Sequence, residues 1–373
     1  MKNPFKINIV QSEEDFCNRA KERKELLQHA RSGSNVVLCS PRRFGKSSLV
    51  TMVLADLQKE GFLTAYVDLF PISSERDFIT RFAAAIFRGI GRGIDSRSFI
   101  EKAKGVFRHL RPTLEVTQDG YTISAQYDRS SGSDVPLDDL MEGLHGYVKK
   151  KKLSACIVLD EFQEITELPE AKKIEGVLRS HIQFQKEISY CYVGSRRRIL
   201  QDMFNNKSRP FYKSAFFYFL KEIPAEDFIP YIVKLFAQTG KRCVENAAHD
   251  IYQKVRGYPY YVQKLASIAW DATDNECTSE TIASAFHVLV QNEAVDFEGI
   301  WSGLFVTQKS VLKAIAREST SMPYARDYLE KNQLSIGGAQ KAMKILLNKD
   351  LIEKIEDGNF RLTDPIMAEW LKS

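Results

Sequence analysis

The sequence contains no run of about 18 apolar residues, the length a membrane-spanning helix needs. Its opening stretch, MKNPFKINIVQSEEDF, lacks the uninterrupted apolar segment of a secretory leader. A membrane protein is therefore not expected, and a cytoplasmic one is. Cysteine is scarce: six residues, far apart, with no Cys-x-x-Cys pair. That spacing argues against a disulfide framework and against a zinc site. Cys39, Cys156 and Cys191 each stand in a short apolar run and read as buried thiols. There are no internal repeats or low-complexity tracts, so solenoid and disordered classes are not expected.

What is present is the composition of an ordinary soluble protein: 373 residues, 44% hydrophobic and 27% charged. Two or three domains fit that length. The net charge of +5 is mild but uneven. From Arg81 to Arg111 there are six Arg and two Lys against only Asp95 and Glu101, and Lys149 to Lys152 form a second cluster. Arg97, Lys102, Lys104 and Arg108, with Phe99 and Phe107 between them, could lie on a polyanion; a solvated helix face is the alternative.

The pattern along the chain alternates. NRAKERKELLQHARSG has helical spacing and ends at Gly33. A strand NVVLCS follows, then a loop, then a helix from about Lys46 to Lys59. FLTAYVDLF, SACIVLDEF, ISYCYVGS and AFFYFLKEI read as four further strands, separated by helices, which predicts a parallel, helix-covered sheet. An insertion interrupts it between about 88 and 136: a basic helical stretch, then two alternating runs around Asp119 and Gly120 that predict a hairpin. From Pro224 to about Phe297 the periodicity is helical, broken by RGYPYY. From about Phe305 three helices and two strands hinged on Asp357 and Gly358 predict a winged helix-turn-helix. The domains expected are 1–223, 224–303 and 304–373.

The loop after the first strand reads CSPRRFGKSS. Gly45 allows the backbone to approach a phosphate, Lys46 places a cation on it, and Ser47 offers a hydroxyl to Mg²⁺. Ser40 stands where a leading glycine is usual, and a small residue before the rigid Pro41 can make a similar turn. A nucleotide loop also requires a carboxylate at the end of another strand, and CIVLDEF provides one 114 positions beyond Lys46. Asp160 would hold the metal and Glu161 would polarise the attacking water. Ser195, at the end of YCYVGS, is a candidate partner for the γ-phosphate, or a plain strand-end turn. Arg209 is either an arginine finger reaching a neighbouring subunit's nucleotide or a surface arginine. The run Arg196 to Arg198 faces either phosphate or solvent.

In that order, FCNRAKERKEL, SPRRFGKSSL, IVLDEFQEI, YVGSRRRILQDMF, RGYPYYVQKLA and LTDPIMAEWL resemble the archaeal-type ATPase family of P-loop proteins, within the STAND branch of AAA+-related NTPases. The resemblance spans nearly the whole chain. It implies an α/β core of five parallel strands in the order 5-1-4-3-2, a helical lid and a C-terminal winged helix. It further implies that Phe16 and Arg19 begin the segment passing the adenine, and that Ser40, Pro41, Arg42, Arg43, Phe44, Gly45, Lys46, Ser47 and Ser48 surround the phosphates. Ser47 and Asp160 would hold Mg²⁺, Ser195 would be the sensor, and Pro259 would lean towards the base. ATP is preferred over GTP on this ground alone.

Three functions remain open from the sequence. One is an ATP-dependent switch that reports its nucleotide state to a protein partner, with nucleotide-dependent homo-oligomers as a corollary. The second is a DNA-binding protein whose loading the ATPase controls, with Gln340, Lys341 and Lys344 offered to a groove. Residues 304–373 hold eleven Lys or Arg and nine Asp or Glu, and a net of +2 is weak for a phosphate-binding module. The third is a small-molecule kinase, which the Asp-Glu pair suits less well than it suits water attack.

Overall fold

A computed structural model of the protein describes residues 2–9, 12, 14–91, 106–107, 110–117, 120–127 and 137–372. The chain forms two compact units, one of Arg19–Lys221 and one of Met1–Asn18 with Glu222–Ser373.

The first unit runs α1 (Ala20–Arg31), β1 (Val36–Cys39), α2 (Lys46–Lys59), β2 (Leu63–Asp68), α3 (Glu75–Gly91), β3 (Leu110–Thr117), β4 (Gly120–Tyr127), α4 (Leu137–Lys151) and β5 (Ala155–Asp160). A 3₁₀ turn (Phe162–Glu167), α5 (Ala171–Ile182), β6 (Ile188–Gly194), α6 (Arg197–Asn205) and β7 (Phe216–Phe219) complete it. Five strands pair in the order β2-β5-β6-β1-β7, every neighbour parallel. Numbered along the chain among themselves, these are strands 5-1-4-3-2, the order expected. The short apolar runs VVLC, ACIVLD and ISYCYVG form strands because both faces are covered: every residue of β1, β5 and β6 is buried. The C-terminal ends of these strands lie side by side, Cys39 opposite Gly194 and Asp68 opposite Asp160. In open parallel sheets this is the edge at which ligands bind.

The inserted hairpin is present: β3 and β4 pair antiparallel with Thr117 opposite Gly120. Asp119, Phe99, Arg97, Lys102, Lys104 and Arg108 lie outside the described residues, as does most of the basic helical stretch. Of the members that are described, Phe107 is buried, Arg81 is half-buried, and Arg88 and Arg111 are exposed. Phe107 is buried edge-on to Phe87, with ring centroids 5.1 Å apart. Arg81 bonds Asp77 at 2.9 Å and the Pro71 carbonyl at 2.7 Å. Arg88 donates to the Ile123 carbonyl at 3.5 Å.

The second unit contains α7 (Ala225–Gln238), β8 (Arg242–Cys243), α8 (Glu245–Lys254), α9 (Pro259–Asp271), β9 (Glu276–Cys277) and α10 (Ser279–Ser302). It continues with α11 (Val306–Arg317), α12 (Arg326–Lys331), α13 (Ile336–Asn348), β10 (Ile352–Lys354), β11 (Phe360–Leu362) and α14 (Pro365–Trp370). The N-terminal residues belong here because their side chains find partners on α7 and α9. Asn3 donates to Ser267 Oγ at 2.9 Å, Phe5 packs edge-on to Phe236, and Tyr231 donates to the Asp15 carbonyl at 2.9 Å. The three helices and the β10–β11 hairpin form the winged-helix arrangement, with Gly358 at φ +87° in the turn.

The two sequence motifs of this unit meet. Tyr258 donates to the Thr363 carbonyl, and Tyr261, fully buried, donates to Asp364 Oδ2 at 2.6 Å. Asp364 Oδ1 accepts from the Ile366 and Met367 amides, capping α14, whose first residue is Pro365. Gln340, Lys341 and Lys344 are exposed on α13.

Candidate active site

The loop between β1 and α2 turns through two left-handed residues, Arg43 at φ +67° and Gly45 at φ +81°. A Cβ at Gly45 would touch nothing within 4 Å, so backbone conformation rather than space calls for glycine there. Ser40 is buried and its amide donates to the Gly194 carbonyl at 3.4 Å, so the small residue fits against the end of β6. Phe44 is buried, while Arg42, Arg43 and Gly45 are exposed. Pro41, Ser47 and Ser48 are half-buried.

Lys46 opens α2 and is 5% exposed. An ammonium so enclosed needs acceptors, and it donates to the Ser40 carbonyl at 3.0 Å and the Pro41 carbonyl at 2.9 Å. Burial pulls its pKa below the ordinary lysine range, and the nearby Glu161 and Asp160 carboxylates push it back up. The lysine thus holds the loop curled around its own cation.

Ser47 Oγ donates to Asp160 Oδ2 at 2.9 Å, so the first two motifs meet side chain to side chain. Tyr66, on the adjoining strand β2, donates to the same Oδ2. Asp160 Oδ1 accepts the Glu161 amide at 2.9 Å. Burial pushes the Asp160 carboxyl up, the Tyr66 and Ser47 hydrogen bonds pull it down, and the Glu161 charge adds to the upward push. Burial and the Asp160 charge likewise raise the Tyr66 phenol. Tyr66 is a residue of this site that the motifs did not reveal. Its only signal is a polar-tipped aromatic two positions before Asp68 in the strand LTAYVD.

Glu161 adopts φ +51°, a left-handed conformation unusual for a residue with a side chain and a common mark of functional positions. Its Oε2 accepts from Ser195 Oγ at 3.0 Å and from Gln163 Nε2. The next residue explains the motif's aromatic: Phe162 is fully buried among Tyr192, Phe204 and Phe211, with centroids 4.6–6.1 Å away. That cluster fixes the turn on which Glu161 and Gln163 sit.

Lys46, Ser47, Asp160, Glu161 and Ser195 are therefore brought together at one edge of the sheet. Arg19 joins the loop from behind: it is 4% exposed, paired with Glu22 at 2.8 Å, and 3.5 Å from the Phe44 carbonyl. Arg209 is engaged elsewhere, bonding the fully buried Glu175 at 2.6 Å, with Asp202 at 3.8 Å. Arg196 bonds Glu167 at 2.9 Å, and Arg197 lies over the Phe219 ring at 4.3 Å. Phe16, half-buried, and Pro259, buried at the first position of α9, belong to the other unit.

A parallel sheet with a Gly-Lys-Ser loop after its first strand and an acidic pair ending another, followed by a winged helix, is the fold of P-loop ATPases. Residues 295–373 match the family model described as a probable winged helix domain. Among solved structures, the chain is similar to the Walker-type ATPase PABY2304 of Pyrococcus abyssi. The TM-score is 0.73 at 15% identity, covering 99% of this chain and 100% of that one. It is also similar to the ORC2 protein of Aeropyrum pernix in its ADPNP–ADP complexes, with a TM-score of 0.62 at 16% identity, covering 100% of this chain and 96% of that one. No curated protein matches the sequence. Among the described residues no helix is long and apolar enough to cross a membrane.

Proposed function

We propose that the protein binds and slowly hydrolyses Mg-ATP and uses the nucleotide state as a switch for a protein partner. The observation that carries this reading is the 2.9 Å bond from Ser47 Oγ to Asp160 Oδ2, with the buried Lys46 on one side and the Glu161–Ser195 pair on the other. The three sequence motifs meet where a triphosphate would need them. The solved relative that binds ADPNP and ADP supports an adenine nucleotide.

Two hard oxygen donors from Ser47 and Asp160 suit Mg²⁺, which usually takes one or two protein oxygens and completes its shell with phosphate and water. Among the described residues no group of three or more His, Cys, Asp or Glu could hold an ion alone. The cation would supply charge to the phosphate oxygens. Lys46, turned from the loop carbonyls, would place a second positive charge on them. Glu161 would orient the attacking water and Ser195 would read the γ-phosphate. Arg209, if released from Glu175, would serve a neighbouring subunit.

The reading is tested by ATP turnover with and without duplex DNA. Slow, Mg-dependent hydrolysis that DNA leaves unchanged is expected. Severalfold stimulation by DNA would favour the second reading, a regulated DNA-loading protein, which rests on the exposed Gln340, Lys341 and Lys344 of α13.

Tyr66→Phe should raise the Mg²⁺ concentration needed for half-maximal turnover by about tenfold, the loss typical when a partner of a metal-binding carboxylate is removed. ATP affinity measured without Mg²⁺ should not change. A Mg²⁺ titration identical to wild type would take Tyr66 out of the site.

A further inference from the structure

We infer that Gln163 is a positioning residue: it holds one oxygen of Glu161 so that the other faces the attacking water. The inference rests on the proposed ATPase reading and deepens it. Glu161 Oε2 accepts both the Gln163 amide and the Ser195 hydroxyl, and among the described residues Oε1 accepts no hydrogen bond. A carboxylate with one oxygen pinned by two donors has a fixed plane, and its other oxygen is the one available to take a proton.

Gln163 is built for that task. It is 0% exposed, and its place is set by Phe162 in the aromatic cluster. The orientation of its amide follows from charge: Nε2 must face the Glu161 carboxylate, since an oxygen there would meet a like partial charge. The consequence is that Oε1 is buried with no hydrogen-bond partner, a costly arrangement for a residue serving only packing. The opposite wall is closed as well. A Cβ at residue 194 would lie 2.1 Å from Gln163 Oε1, so the glycine just before Ser195 is what leaves the amide its room. If Ser195 exchanges Glu161 for a phosphate oxygen, Gln163 still holds the carboxylate. Gln163 thus keeps the carboxylate in place while Ser195 changes partner.

The experiment compares Gln163→Met, which keeps length and loses the donor, with wild type and with Glu161→Gln. Single-turnover kcat should fall on the order of tenfold to a hundredfold in Gln163→Met. The Kd for a fluorescent ATP analogue should change less than about twofold, because the amide reaches no loop residue. The decisive comparison is the double variant. If Gln163 acts through the Glu161 carboxylate, Gln163→Met should slow Glu161→Gln no further, whereas a packing role would add its loss in either background. Gly194→Ala, which displaces the amide from the other side, should reproduce the kcat loss. An ATPase that depends on Glu161 but keeps full kcat in Gln163→Met overturns this inference alone. Equal turnover in Glu161→Gln and wild type removes the reading beneath it, and the inference falls with it.

Discussion

Lys46→Ala should bring Mg-ATP binding below calorimetric detection while the protein stays folded. Lys46 supplies the cation at the loop's inner wall: it is 5% exposed and 2.9–3.0 Å from two loop carbonyls. A bond to a charged group contributes about 1.5–3 kcal/mol. Without its bonds to two phosphates, affinity should therefore fall by at least about a hundredfold. The variant also strips the Ser40 and Pro41 carbonyls of their donor, so a modest loss of stability should accompany it. Melting temperature and calorimetric titration, measured on the same preparation, separate the two effects. A folded variant with unchanged affinity would mean that the nucleotide binds elsewhere.

The residues of this site differ in how far the sequence exposes them. Lys46, Ser47, Asp160 and Glu161 stand in short stretches whose apolar run, turn and polar end announce a strand tip. The strand order could be expected from the resemblance, and parallel pairing of all five strands agrees with it. Tyr66 could not be found this way, because its role depends on register. Only the pairing of Asp68 with Asp160 and Tyr66 with Val158 places its hydroxyl on Asp160. Arg209 shows the same limit from the other side. In sequence it is one arginine among many; in the fold, a fully buried Glu175 claims it. Removing one partner of such a pair leaves a buried charge behind, so the contact has a structural role whatever else Arg209 does.

The division of the chain was hidden for a related reason. The stretch before Asn18 carries no strong helical or strand pattern, and its partners, Ser267, Phe236 and Tyr231, lie more than 200 positions away in sequence. Pattern alone assigns such a stretch to whatever follows it in sequence. The tyrosines of RGYPYY were legible as a motif, but not their bonds to Thr363 and Asp364, since neither hydrogen bond leaves a periodic trace.

Glu161→Gln should retain ATP and lose at least tenfold of its turnover, and the structure explains why binding and hydrolysis should separate. The substitution preserves length and shape at a residue whose backbone is already left-handed, at φ +51°, so the turn and the Phe162 anchor have no reason to move. Lys46 donates to the Ser40 and Pro41 carbonyls and Ser47 to Asp160, so neither relies on a hydrogen bond to the Glu161 side chain. Nucleotide affinity should therefore stay within about twofold. The amide, however, cannot take a proton from water, and general-base assistance contributes roughly 10²–10⁴-fold where it operates. Ser195 and Gln163 can both still donate to an amide oxygen placed where Oε2 was, so the side chain keeps its orientation and the loss falls on the atom that faces the water. Nucleotide binding by calorimetry and phosphate release over a single turnover, measured at the same Mg²⁺ concentration, give the two readouts. Turnover equal to wild type would remove Glu161 from the chemistry and leave Asp160 as a carboxylate that only orders Ser47 and Tyr66.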